Sequence, residues 1–184
     1  MISALLFDLD GTLFDSTKAN VKAYSQAFEK AGVVFSADKY RQLFGLRFGE
    51  MMEQIAPNTD PHVVEKIKNL KSEFYKENLE QVKPNVGLLN FLRDAKAHYK
   101  TALVTTASAK NVDSLLSHFL SGENLFDVII RSEDVAKSKP DPECYKLAAE
   151  RLGVDPSECL VFEDTKIGID AAAAAGMAYI RVTL

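Results

Sequence analysis

Short, nearly continuous apolar runs alternate along the chain with longer segments of helical spacing. The runs lie at 2–7, 101–105, 126–130, 159–162 and 178–182. Their continuity is the pattern of strands covered on both faces, as in a parallel sheet. Segments with helical periodicity at 87–98, 111–119, 142–152 and around 167–175 precede the second to fifth runs. Gly176 stands where a helix C-terminal glycine belongs. The alternation predicts right-handed βαβ units in an α/β three-layer sandwich with a parallel sheet.

One interval, between the first run and Pro84, has a helical reading only. Val21, Tyr24, Phe28 and Ala31 share one helical face, closed by Gly32. Ser36 is placed to cap a short helix running to Leu43. Asp60-Pro61 reads as an N-cap followed by proline at the first helical position. Val63, Ile67, Leu70 and Phe74 then form a stripe. The pattern predicts a helical module inserted after the first strand. It leaves near Phe14-Asp15 and returns near Val82-Lys83-Pro84, so 1–14 and 83–184 form a core and 15–82 a cap.

Composition narrows the classes. The chain has 184 residues, 47% of them hydrophobic, 26% charged, with a net charge of -4. That is enough apolar material for a core, which excludes disorder as the main state. No apolar run approaches the roughly 18 residues of a membrane span. The acidic balance and the lack of Trp speak against a broad nucleic-acid surface. The N-terminal run is short, is interrupted by Asp8 and Asp10, and has no preceding Lys or Arg, so it reads as a buried strand and not a signal peptide. Cys144 and Cys159 make no disulfide framework and read as reduced thiols of a cytoplasmic protein.

The chemistry gathers at strand ends, where open parallel sheets bind ligands. Asp8-Leu9-Asp10-Gly11-Thr12 follows the first run, Thr105 and Thr106 end the second, Lys137-Ser138-Lys139-Pro140 follows the third, and Glu163-Asp164 follows the fourth. Crowded carboxylates repel unless a cation lies between them. Asp8, Asp10, Glu163 and Asp164 together make a hard oxygen site suited to Mg²⁺. A cation, a lysine and a hydroxyl beside a nucleophilic aspartate is the set that phosphoryl transfer needs.

These residues resemble the haloacid dehalogenase-like hydrolase superfamily. Phe7-Asp8-Leu9-Asp10-Gly11-Thr12-Leu13 is similar to its first motif, Thr105 to the second, and Lys139-Pro140 to the third. Phe162-Glu163-Asp164-Thr165, continuing through Gly168-Ile169 to Gly176-Met177, is similar to the fourth. Pro84-Asn85-Val86-Gly87 resembles the return from the cap. The resemblance implies a Rossmann-like core with the helical insert as a lid. It also implies roles: Asp8 as nucleophile, Asp10 as acid then base, Thr105 on the phosphoryl group, and Lys139 holding the phosphate and Asp8. Mg²⁺ would take the Asp8 carboxylate, the Asp10 backbone carbonyl and Asp164, with Glu163 as an inner or outer ligand. Leu9 and Gly11 would offer backbone N–H groups; Lys137 and Thr106 are the neighbouring rivals of Lys139 and Thr105. Asp10 separates the chain from the dehalogenase branch, which lacks that aspartate.

The cap should carry substrate choice. Gly45 and Arg47 lie in a loop, 44–49, between cap helices, and Arg47 is expected to bind a second anionic group. Lys39 is read as a surface lysine. The function expected is a Mg²⁺-dependent phosphomonoester hydrolase of a small phosphorylated metabolite, with no nucleic-acid or membrane partner. A sugar-phosphate mutase of the β-phosphoglucomutase type is the alternative, weakened by Phe44 where that branch has a basic residue. A non-enzymatic phospho-accepting domain is the third reading. The sequence stops at Thr183-Leu184, right after the fifth strand, where the family usually continues, so a peripheral strand is expected to lack part of its cover.

Overall fold

The computed structural model describes residues 1–184. Five strands form one parallel sheet: β1 (Ala4–Phe7), β4 (Lys100–Val104), β5 (Val128–Ile130), β6 (Cys159–Glu163) and β7 (Ala178–Arg181), in the order β5-β4-β1-β6-β7. Alternate residues of the central strands serve opposite layers. Leu5, Phe7 and Leu103 pack with Leu89, Leu92, Val112 and Leu115 from α5 (Val86–Ala95) and α6 (Ala109–Leu120). Leu6, Ala102, Val104 and Val161 pack with Tyr145, Ala148, Ala171 and Ala172 from α7 (Glu143–Leu152) and α8 (Lys166–Ala174). This is the three-layer architecture that the sequence predicts, with strand and helix ends shifted by up to three residues.

Register positions the chemistry. Phe7 is aligned with Leu103 on one side and with Phe162 on the other. The residues that follow β1, β4 and β6 therefore leave the sheet side by side. The ladder continues one step beyond β1, where the Asp8 N–H donates to the Phe162 carbonyl at 3.0 Å. The outermost strand β7 is exposed throughout, with Tyr179 at 48% and Ile180 at 46%, which meets the expectation of a peripheral strand short of cover.

Four helices stand between β1 and α5: α1 (Thr17–Ala31), α2 (Ala37–Gln42), α3 (Phe48–Ile55) and α4 (Pro61–Glu77). A short antiparallel pair, β2 (Phe14–Asp15) with β3 (Lys83–Pro84), carries the chain out and back. The caps form where the sequence places them. Gly32 closes α1 at φ 74°. Ser36 Oγ accepts from the Lys39 N–H, and Asp60 accepts from the His62 N–H ahead of Pro61. The helices enclose their own core of Tyr24, Phe28, Tyr40, Met51, Met52 and Ile67. Sequence reading missed α3 and took its first turn for loop. No side chain caps that helix; burial of Met51 and Met52 holds it. No helix is long and apolar enough to cross a membrane.

Candidate active site

Asp8, the first residue beyond β1, is nearly buried. Its Oδ1 accepts from Lys139 Nζ at 2.8 Å. The same ammonium donates to Glu163 Oε1 at 2.8 Å and to the Val104 carbonyl at 3.1 Å, so all three of its donors are satisfied. Lys139 lies 3% exposed and reaches the centre of the site, whereas Lys137 is a surface residue paired with Asp141 at 3.5 Å.

Glu163 is held at both oxygens. Oε1 faces Lys139, and Oε2 accepts from the Thr165 N–H at 2.7 Å and its hydroxyl at 2.9 Å. Thr165 in turn caps α8, its Oγ1 accepting from Gly168 N–H at 3.1 Å. A Cβ on Gly168 would fall 1.7 Å from Glu163 Oε1, so that glycine makes room for the carboxylate. Asp164 Oδ1 accepts from the Thr12 hydroxyl at 3.2 Å. Asp8, Glu163 and Asp164 each offer an oxygen within 4.8 Å of the others.

Lys139 is the one cation against three carboxylates, and the charges show it. Burial raises the Asp8 carboxyl well above its usual range; Lys139 opposes this, and the negative charges of Glu163 and Asp164 reinforce it. Asp164 is pushed up to about 6 by burial and then by the Glu163 charge. Burial works against the Lys139 ammonium, but Asp8 and Glu163 outweigh it and hold its pKa well above the ordinary value. An all-oxygen donor set with excess negative charge is the chemistry that a hard divalent cation fits.

Asp10 turns away from this cluster. Its Oδ1 accepts from the Ser16 hydroxyl and, at 3.3 Å, from Asn20 Nδ2. The Thr105 Oγ1 accepts from the Ala107 N–H at 3.0 Å, and its backbone N–H donates to Ile130 O. The site opens into a cavity of about 370 Å³ between the strand ends and the helical insert, lined by Asp8, Leu9, Asp10, Thr105, Lys139 and Glu163 on one wall.

Three placements add contacts that the sequence reading did not foresee. The Gly11 N–H donates to the Phe14 carbonyl at 2.8 Å and is not turned to the cavity. Gly11 instead adopts φ 96°, and a Cβ there would lie 2.1 Å from Asp164 Oδ2, so it clears space for that carboxylate. The Thr106 hydroxyl donates to the Gly45 carbonyl at 3.1 Å, joining insert to core, and both residues line the cavity. The Arg47 guanidinium, expected on a substrate anion, donates to carbonyls of Ser132, Val135 and Ala136. Side-chain reach across two separate segments decides these partners, and spacing along the chain does not encode it. Lys39 is a surface residue, as read, bonded to the Gln54 carbonyl.

Sequence reasoning also missed Lys71. It lies on α4 at one-turn spacing between Ile67 and Tyr75, all three buried, and lines the opposite wall of the cavity. Its Nζ stands 4.3 Å from the Tyr75 ring centre and 5.1 Å from that of Tyr24. A lysine inside a buried helical stripe was the available signal. Burial pulls its pKa down to about 8 from 10.5, with the Asp10 charge opposing. Below pH 8 Lys71 is charged in both folded and unfolded chains, so its burial cost is fully present there. The cost fades as pH rises from 8 to 10.5, where only the unfolded chain keeps the proton. Lys71→Met is therefore expected to stabilise the fold at pH 7 by about 1–3 kcal/mol. Thermal unfolding checks this, and the gain should shrink by pH 10; an equal or larger gain at pH 10 contradicts the buried-charge account.

The strand-end carboxylates, the core lysine and the overlying helical insert define a class of α/β hydrolase. The family model described as haloacid dehalogenase-like hydrolase matches residues 5–182, and the chain belongs to that family. A phosphorylated carbohydrates phosphatase from Thermotoga maritima is 32% identical over 181 residues, covering 96% of this chain and 82% of that protein. The crystal structure of CbbY from Rhodobacter sphaeroides in complex with phosphate superposes with a TM-score of 0.88 at 28% identity, covering 100% of this chain and 87% of that one. A β-phosphoglucomutase from Clostridium difficile superposes with a TM-score of 0.86 at 26% identity, covering 100% and 86%.

Proposed function

We propose that the protein is a Mg²⁺-dependent phosphatase of small phosphorylated sugars and related metabolites, acting through an aspartyl-phosphate on Asp8. One observation carries the reading: Asp8 is fixed by Lys139 beside Asp164, at the floor of a cavity roofed by the helices of 15–82. The names of the related phosphatase and of CbbY with phosphate point the same way.

An Asp8 oxygen attacks phosphorus, and the bond to the substrate's ester oxygen breaks. Asp10 gives its proton to the departing oxygen. Water then attacks the acyl phosphate, Asp10 takes its proton, and phosphate leaves with Asp8 restored. Ser16 and Asn20 both hold Asp10 by Oδ1, which leaves Oδ2 for the proton. Lys139 neutralises phosphate charge and opposes the effect of burial on Asp8, favouring its ionised form, and Thr105 orients a phosphoryl oxygen. Asp8, the Asp10 carbonyl and Asp164 would hold Mg²⁺, which supplies charge neutralisation when bound. Glu163, engaged by Lys139 and Thr165, fits an outer position. Residues 15–82 act as the cap, with 1–14 and 83–184 as the catalytic core. Two buried, unpaired cysteines fit a cytoplasmic setting.

A screen of hexose phosphates, phosphoglycolate and nucleotides tests this. Turnover is expected with Mg²⁺, is expected to fall at least ~100-fold with EDTA, and to return on adding Mg²⁺. Turnover indifferent to EDTA, or none with any substrate, would falsify the reading. The β-phosphoglucomutase likeness supports a mutase as second reading, and isomerised sugar phosphate in excess of free phosphate would select it. Phe44 weighs against it, since it packs in the insert against Tyr40 and offers no charge.

A further inference from the structure

We propose that Arg47 is a positioning residue that latches the helical insert onto the segment carrying Lys139, so that closing the cavity and placing the lysine become one event. Its kinetic consequence rests on the phosphatase reading; its geometry does not.

Arg47 precedes α3 in extended backbone, φ -63° and ψ 149°, and its side chain crosses from the insert to the core. Nη1 donates to the Ala136 carbonyl at 3.1 Å. Nη2 donates to the Val135 carbonyl at 3.1 Å and to that of Ser132. All three acceptors lie between β5 and Lys139. The N–H side of this stretch is anchored on the core. The Glu143 carboxylate of α7 accepts from Ala136 N–H at 2.9 Å and Lys137 N–H at 2.8 Å. The core thus grips the stretch by its amides, and the insert grips it by its carbonyls. Three residues beyond Ala136, Lys139 reaches Asp8.

Neighbouring contacts extend the tie. The Gly45 carbonyl accepts from the Thr106 hydroxyl at 3.1 Å, one residue after Thr105. A Cβ on Gly45 would meet the Thr165 methyl at 3.1 Å, so the loop lies close against the start of α8. Residues 45–47 therefore touch the segments following β4, β5 and β6 at once. A guanidinium suits the task, because its planar fork supplies several fixed donors to separate carbonyls, where an ammonium is a single point. With Nη1 and Nη2 both engaged by backbone, the fork fastens the insert to the core at the edge of the cavity that Arg47 also lines.

Hydrogen exchange on the full-length protein in Mg²⁺ buffer tests the latch without requiring turnover. In Arg47→Ala, amides of 45–55 and 132–139 are expected to exchange about tenfold faster, with β1 and α4 unchanged and Arg47→Lys intermediate. With p-nitrophenyl phosphate, kcat is expected to fall about tenfold while KM moves less than threefold, because a reacting group is displaced and uniform binding is not lost. If Arg47→Ala fails to fold, Arg47→Lys carries the comparison. Unchanged exchange in both segments overturns the proposal, as does unchanged exchange with a raised KM, which returns Arg47 to substrate recognition. Absence of turnover in the parent protein counts against the phosphatase reading and leaves exchange to decide the latch.

Discussion

Asp8→Asn is expected to lower kcat by about four orders of magnitude or more, while the protein stays folded. An amide oxygen is a poor nucleophile, and its acyl phosphate cannot form, so the covalent route is closed and not merely slowed. The fold has reasons to tolerate the change. Asparagine has nearly the volume of aspartate, and Lys139 keeps Glu163 and the Val104 carbonyl as acceptors. Burial also disfavours the charge on Asp8, so a neutral group there removes a desolvation cost. Phosphate-release kinetics with the best substrate of the screen, alongside thermal unfolding, check both halves. Turnover within tenfold of the parent would show that Asp8 is not the nucleophile.

Lys139→Met is expected to cost stability as well as activity. Removing the lysine leaves Asp8 and Glu163 buried with no cation between them, 6% and 1% exposed. Breaking such a cluster typically costs about 3–5 kcal/mol, because the remaining charges are uncompensated. For a chain of this size that is on the order of 10 °C in Tm. A double variant separates the causes. Adding Asp8→Asn to Lys139→Met removes one of the orphaned charges and should recover part of the loss, so the two substitutions will not add. Strict additivity would mean that the pair does not interact energetically in the folded protein. Activity should fall in both variants regardless of stability.

The fold was legible because its signals are local. Five apolar runs, four helical segments between them, Gly32, Ser36 and Asp60-Pro61 each state their structure within a few residues of chain. Of the α-helices only α3 escaped, since its stabilisation comes from Met51 and Met52 against the insert's core and not from a cap. The proposed catalytic set could be listed for a related reason. Asp8, Asp10, Thr105, Lys139 and Asp164 follow strands and Glu163 ends one, and a parallel sheet brings strand ends together whatever its other details.

The remainder depends on distance across the fold. Which lysine enters the site is set by burial: Lys139 is enclosed, while Lys137, two residues away, lies in solvent. Lys71 became part of the cavity only because α4 folds its buried face over the strand ends, leaving the ammonium buried against Tyr24 and Tyr75. Gly11 and Gly168 gained meaning from the carboxylates that occupy the volume of their missing Cβ atoms.

By itself the sequence determined the layers, the helical insert and the list of acids, hydroxyls and lysines at the strand ends, because periodicity and strand-end placement are properties of short segments. Tertiary structure alone decided how those groups are used. Hydrogen bonds such as Lys139 to Asp8, 131 residues apart, and Arg47 to Val135, 88 residues apart, depend on angstrom-scale distances that no local pattern records.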